Sequence, residues 1–264
     1  MNETFDLQGR VRRIEQRTPC HPALKRFRNF QTFDVDFDPA GHVLRTTHYD
    51  NDGAVTGIES SCFDDAGTLV RTEFFDGQGN RTGSSEFQCD SKGRPISWLG
   101  LDCDGSMVRR GENHFEQGRL ARSRTTLASG VPVIEREFAY SESSLTQQIS
   151  KYYGFSGSLS ERWITKYDQM GRVHETWGLT AAGDPLGDGL YRHEYDDQGR
   201  KSRILSFNDW GTDCIPNSIC VIEYDSDEVG NWVRRRKYHQ LRDASRQRME
   251  LTNRTLTYWE HSCL

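Results

Sequence analysis

One short motif recurs along the chain at intervals typical of a regular β-structure. An apolar or aromatic residue is followed by Asp, two spacer residues and Gly, and six such copies fall between Phe37 and Gly105. The Asp residues of these copies are Asp38, Asp50, Asp64, Asp76, Asp90 and Asp102, so the intervals are 12, 14, 12, 14 and 12 residues. Asp followed by Gly three residues later indicates a turn, because the carboxylate accepts backbone N–H groups and Gly adopts the left-handed conformation that closes it.

Between these turns lie roughly eight residues each, a typical strand length. The segments are rich in β-formers, as in 43–49 and 69–75. The sequence therefore predicts an all-β fold, a long antiparallel β-meander of repeated hairpins with about 16 strands in a twisted or curled sheet.

The domain prediction is a single domain over 1–264. A bend or seam is expected near 127–153, where two 13-residue steps would move side chains to the other face of the sheet. The irregular basic stretch 12–28, which contains Pro19 and Pro22, is expected to be an N-terminal capping segment, since terminal repeats are commonly atypical.

Composition limits the classes of function. Hydrophobic residues make up 34% of the chain and mean hydropathy is −0.80, yet aromatic residues reach 11%, which favours ordered β-structure with much polar surface over disorder. The net charge of −5 predicts no nucleic-acid or membrane partner. Neither a membrane-length apolar run nor a signal-like region stands in the sequence, so we expect a cytoplasmic protein.

No motif of a catalytic or metal site is evident. The eight histidines lack zinc spacing, and the acidic turns 50–53 and 102–105 lack the closing Glu of a calcium loop. The seven cysteines contain no C-x-x-C pair, which favours reduced thiols and leaves a Cys214–Cys220 disulfide as an open alternative. The sequence predicts no metal, no cofactor and no enzymatic activity.

Two copies of the motif carry a family resemblance. Tyr167-Asp168-Gln-Met-Gly171-Arg172 and Tyr195-Asp196-Asp-Gln-Gly199-Arg200 resemble the YD repeat of Rhs-type bacterial proteins. The resemblance extends over about residues 5 to 260, and the ending at Tyr258-Trp259 also resembles short YD-repeat-like proteins. It implies a β-sheet architecture, a bacterial origin, and a role beside polymorphic toxin systems, although no toxin domain follows the repeats.

Candidate partner-binding residues follow from the phase of the repeat. Arg45, Arg71 and Arg203 each lie seven residues after a motif Asp, and they form either part of a partner-facing stripe or cross-strand ion pairs with neighbours such as Glu73. Trp98 is expected on the opposite face, either at an interface or in the core of a curled sheet. The residues expected to share its phase are His48, Phe74 and His114.

These patterns favour a non-enzymatic protein-binding module. The resemblance implies an immunity or accessory protein that binds and neutralises a cognate secreted toxin, with an acidic charge suited to a basic effector. Two alternatives stay open. One is a carbohydrate- or cell-surface-binding repeat protein, and the other is a hydrolase without a recognisable motif.

Overall fold

Every regular element that the structure describes is a β-strand. The structure is a computed structural model that describes residues 7, 10–18, 32–141, 144–207, 215–240 and 245–259. The strands of this part of the chain are β1 (Val11–Arg17), β2 (Thr32–Phe37), β3 (Val43–Tyr49), β4 (Val55–Phe63), β5 (Leu69–Asp76), β6 (Arg81–Cys89), β7 (Pro95–Asp102), β8 (Met107–Glu116), β9 (Arg119–Leu127), β10 (Pro132–Ser141), β11 (Ser144–Tyr153), β12 (Leu159–Tyr167), β13 (Val173–Thr180), β14 (Pro185–Tyr195), β15 (Lys201–Phe207), β16 (Ser218–Ser226), β17 (Trp232–Gln240) and β18 (Arg246–Tyr258).

The sheet closes because its first strand pairs with its last. Strands adjacent in sequence are hydrogen-bonded to each other, and β1 pairs antiparallel with both β2 and β18. The prediction of an all-β antiparallel meander is confirmed. The prediction of about 16 strands in an open sheet is wrong, because 18 strands close with the pairing of a β-barrel. The repeat count runs from β2 to β17, and the two strands that it missed are the two that close the sheet.

The chain divides into two compact units. Unit 1 contains 1–84, 222–238 and 246–264, and unit 2 contains 85–221 and 239–245. The bend expected near 127–153 stays a prediction. In that segment β9, β10 and β11 pair antiparallel, with a register shift between Pro132 and Ile134 and another between Ala139 and Tyr140.

The core of unit 1 lies where its sheet joins the first strand to the last. Ile14 and Val35 are 0% exposed and face each other across β1 and β2, and Leu256 pairs with Ile14 from β18. The predicted capping segment is therefore corrected: 12–17 belong to β1, whose alternating side chains fill this core, and 19–31 lie outside the described residues.

The recurring turns have the geometry that the sequence predicts. In the turn after β12, Asp168 Oδ1 accepts the backbone N–H groups of Met170 and Arg172, both at 2.9 Å, and Gly171 has a φ of 76°. The Arg172 Nε donates to Asp168 Oδ2 at 2.8 Å, and its guanidinium carbon lies 4.4 Å from the centroid of the Tyr195 ring. The Arg of the motif thus links its own turn to the aromatic residue of a later repeat.

The same arrangement recurs in unit 2 and, with histidine in place of arginine, in unit 1. Arg94 bonds Asp90 at 2.5 Å and lies 4.5 Å from the Phe115 ring centroid. Near the start of the chain, His42 takes the place of the Arg. Its Nδ1 lies 2.7 Å from Asp38 Oδ2, and its ring stacks on a Phe ring at 4.7 Å.

Candidate functional site: a cavity beside the closing strands

The three predicted arginines have different surroundings. Arg45 on β3 is exposed, and its side chain forms no hydrogen bond or ion pair with the described residues. Arg71 pairs with Glu73 on the same strand at 2.9 Å, and Arg203 pairs across strands with Glu194 at 2.9 Å. Ion pairing therefore accounts for Arg71 and Arg203, and the partner-binding role of the three residues stays a prediction.

The residues expected on the opposite face divide into two groups. In unit 1, His48 Nε2 lies 3.2 Å from Glu59 Oε1, and Phe74 is the cross-strand partner of Glu59, so these side chains are neighbours on one face. In unit 2, Trp98 is paired with Gly111, three residues before His114 on β8. Side chains alternate along a strand, so His114 lies on the face opposite to Trp98 and does not share its phase.

Trp98 covers backbone. A Cβ atom added to Gly111 would lie 1.9 Å from the Trp98 Nε1, so the indole lies directly over this glycine. The Arg109 guanidinium carbon is 5.3 Å from the centroid of the same ring. Trp163 and Gly178 repeat this cross-strand pairing on β12 and β13. An aromatic side chain that covers a strand glycine stabilises the sheet, which gives Trp98 a structural role beside its predicted binding role.

A buried carboxylate binds the first three strands together. The Asp34 side chain on β2 is 5% exposed and accepts hydrogen bonds from Arg13 at 2.7 Å, Arg17 at 2.5 Å and the Tyr49 hydroxyl at 2.9 Å. Burial alone would raise the pKa of Asp34, but the hydrogen bonds from Arg17 and Tyr49 and the arginine charges hold it below its usual value. This cluster is saturated, so we assign it to the stability of unit 1.

Unit 1 also contains a cavity, here called the closure cavity. Its volume is about 410 Å³, within the range of roughly 300–1,000 Å³ that is typical of small-molecule sites. The residues that line it are Leu7, Arg10, Val11, Phe37, Asp38, Pro39, Ala40, Gly41, Val43 and Trp259. A second cavity, in unit 2, is about 120 Å³ and is lined mainly by polar and charged side chains.

Local structure explains the position of each wall. The Trp259 backbone N–H donates to the Arg10 carbonyl at 3.0 Å, which continues the β1–β18 pairing and fixes the indole beside the start of β1. Phe37 and Val43 are cross-strand partners at the end of the β2–β3 hairpin, and both line the cavity. The turn between them completes the wall, with Gly41 at a φ of 93°.

Asp38 and Trp259 both line the closure cavity, but their side chains differ in hydrogen bonding. Asp38 Oδ1 accepts from the backbone N–H groups of Ala40 and His42, both at 2.8 Å, while its Oδ2 contacts the His42 ring. Desolvation would raise the pKa of Asp38, but the hydrogen bonds from His42 and Ala40 lower it. By contrast, the Trp259 Nε1 is buried and has no hydrogen-bond partner among the described residues.

Sequence reasoning did not identify this cavity. The signal available in the sequence was the Tyr258-Trp259 pair, which entered only as part of the family resemblance. Within the described residues, no group of three or more His, Cys, Asp or Glu side chains is arranged to hold a metal ion. Cys220 is not in a disulfide with a described residue, and Cys214 lies outside the described residues.

Comparisons with known proteins show the fold. No protein-family model matches the chain, and no curated protein matches it. The chain is similar to a solved structure described as a porin-like protein from Bacteroides uniformis, with a TM-score of 0.50 and 10% identity over 95% of this chain and 98% of that chain. A porin-like protein from Bacteroides vulgatus matches with a TM-score of 0.34 and 11% identity over 94% of this chain and 98% of that chain.

The comparison with solved structures also returns a match that bears on the YD-repeat resemblance. The TcdB2-TccC3-Cdc42 structure, which contains an Rhs/YD-repeat toxin complex, matches 80% of this chain and 16% of that chain at 14% identity and a TM-score of 0.18. A match at this score does not decide family membership, which stays a prediction.

The likeness to the porin-like protein overturns several predictions. It contradicts the predictions of a cytoplasmic immunity protein, a toxin partner and no membrane partner, because the matched structure is described as porin-like and the strands of this chain have the pairing of a closed barrel and not of an open docking sheet. Among the described residues, no helix is long and apolar enough to cross a membrane.

Proposed function

We propose that the chain is a non-enzymatic protein that binds a small ligand in the closure cavity. The observation that carries this proposal is the cavity itself, about 410 Å³ in volume, which apolar side chains line together with Arg10.

The lining supports binding over catalysis. Among the described lining residues, the titratable side chains are Arg10 and Asp38, and both Asp38 oxygens are already engaged in the turn. These described residues include no nucleophile beside a general base, which acyl or phosphoryl transfer requires. Apolar walls with a few polar groups are the usual composition of a small-molecule site.

Filling the cavity tests the proposal. A fragment library is screened by ligand-observed NMR against the wild type, the Val43→Trp variant and the control Val70→Trp. Val43 lines the cavity, whereas Val70 is 37% exposed on β5 of the same unit. Ala40→Phe, in the exposed turn of the lining, is a second filling variant that spares the strands.

We expect fragments that bind the wild type and Val70→Trp but are lost with both filling variants. Circular dichroism verifies that each variant is folded. Fragment binding that persists in folded Val43→Trp and Ala40→Phe, or a wild type that binds no fragment, would overturn the proposal.

A second candidate function is that of a porin-like barrel in a bacterial outer membrane, which the likeness to the Bacteroides uniformis structure favours. Lipid-facing strands need an apolar side chain at every second position. Across β3–β5, one face contains Arg45, Ser60 and Glu73, and the other contains Glu59 between Thr46 and Phe74. Since neither face is apolar there, we rank ligand binding first.

Cell fractionation separates these two candidates. Recovery in the outer-membrane fraction after a urea wash, with release only by detergent, would favour the porin-like candidate. Recovery without detergent would favour the ligand-binding candidate.

A further inference from the structure

We infer that the ligand of the closure cavity is a small carboxylate with an aromatic or aliphatic body. This inference rests on the proposed function and adds the chemical class of the ligand to it.

Arg10 is the described lining side chain with donors left to offer. Its Nη2 donates to the Pro39 carbonyl at 3.3 Å, and its other guanidinium N–H groups form no hydrogen bond with the described residues. The Asp38 carboxylate is engaged with its own turn. A ligand that uses the remaining Arg10 N–H groups must supply an acceptor.

Charge then selects an anionic acceptor. Arg10 supplies a positive charge to the lining, whereas Arg12, whose guanidinium carbon lies 5.2 Å from the centroid of the Trp259 ring, is outside it. Asp38, the carboxylate among the described lining residues, already contacts His42 at 2.7 Å. A guanidinium binds a carboxylate with two parallel hydrogen bonds, whereas an ammonium group offers these donors no acceptor.

The apolar walls of the cavity indicate the chemical nature of the rest of the ligand. The side chains of Leu7, Val11, Phe37 and Val43 contribute apolar surface to the lining and pack together in one cluster. Val11 and Phe37 are each 6% exposed and belong to the core of unit 1, so this surface is fixed by packing. A hydrocarbon or phenyl body fits such a wall, and a polyhydroxylated body does not.

A matched ligand series tests the class. The dissociation constants of 3-phenylpropionate, 3-phenylpropanamide and 3-phenylpropylamine are measured by NMR titration with the wild type. We expect the carboxylate to bind at least about 10-fold more tightly than the amide or the amine, because hydrogen bonds from a guanidinium to a charged acceptor are roughly twice as strong as those between neutral groups.

Three variants test which residues recognise the carboxylate. Arg10→Gln should abolish the preference for the carboxylate over the amide and leave the affinity for the amide unchanged. Trp259→Phe removes an N–H that the cavity does not reach and keeps a ring, so it should leave the preference for the carboxylate unchanged. Arg45→Gln changes an exposed arginine of the same unit outside the lining, and it should change none of the three constants.

The outcomes separate the inference from the proposed function. Equal affinities for the three compounds, a preference for the amine, or an unchanged preference in Arg10→Gln would overturn the carboxylate while leaving the cavity as a binding site. The proposed function fails only if the fragment screen also yields no ligand that the filling variants exclude.

Discussion

The most specific stability prediction concerns Gly111, the glycine that the Trp98 ring covers. In Gly111→Ala, the new Cβ would lie 1.9 Å from the indole Nε1 and 2.2 Å from Cε2. Ordinary contacts begin near 3.4 Å, so the ring must retreat by about 1.5 Å or leave the strand, because separations well below the carbon–carbon optimum are strongly repulsive.

The expected cost follows from the area that the ring uncovers. A tryptophan buries about 150–250 Å², so uncovering half of it exposes roughly 100 Å² and costs about 2.5 kcal/mol at about 25 cal/mol per Å². Alanine recovers about 0.5–1 kcal/mol in a strand, since glycine loses more backbone freedom on folding. The net destabilisation is therefore about 1.5–2 kcal/mol.

Gly178→Ala is the matched control. Its Cβ would lie 3.0 Å from the Trp163 ring, a conflict that a shift of a few tenths of an ångström relieves. We expect a change of about 0–0.5 kcal/mol, because the backbone gain nearly offsets this strain. Urea unfolding followed by circular dichroism measures both variants. Equal midpoint shifts, or a larger shift for Gly178→Ala, would refute the reasoning.

Three further predictions concern charged groups. Arg94→Lys should destabilise the protein by about 1 kcal/mol in urea unfolding, because lysine cannot bond Asp90 and cover the Phe115 ring in the same way; no change would contradict the assigned role. The hydrogen bond from Arg94 lowers the pKa of Asp90 to about 2. The stabilising contribution of the Asp90 carboxylate is therefore present above about pH 4 and is lost as the pH falls towards 2. In Asp90→Asn the urea midpoint should depend less on pH between these values, and an unchanged pH profile would contradict this assignment. Burial, followed by the charges of Lys201 and His174, lowers the pKa of His193 to about 4, so folding should weaken as the pH falls from 6.5 to 4; His193→Gln should flatten that part of the profile, and an equally steep profile would exclude His193 as its source.

The turns were predictable from sequence because their chemistry is local. Asp168 and Gly171 lie three residues apart and make the hydrogen bonds that the motif implies. The closing strands were not predictable in this way. β1 and β18 are not joined by a motif turn, and contacts such as Arg254 with Gln16 span 238 residues.

The candidate site illustrates the same limit. Arg10 and Trp259 stand at opposite ends of the sequence, and only the pairing of β1 with β18 brings them to one cavity. The phase argument failed for His114 because the ladder shifts register between Gly100 and Leu101, and the extra residue there reverses the face of the following strand. Spacing alone does not reveal such a bulge.

The most direct test of the central claim is a disulfide between the first and last strands. In a background without the native cysteines, Glu15→Cys and Thr255→Cys occupy directly paired positions on β1 and β18, within the Cα separation that a disulfide spans. Oxidation followed by peptide mass spectrometry should give the 15–255 cross-link in high yield, with Arg45→Cys and Ser60→Cys, directly paired positions on β3 and β4, as the positive control. Efficient cross-linking of the control pair without the 15–255 bond would contradict the closed sheet, and with it the position of the closure cavity.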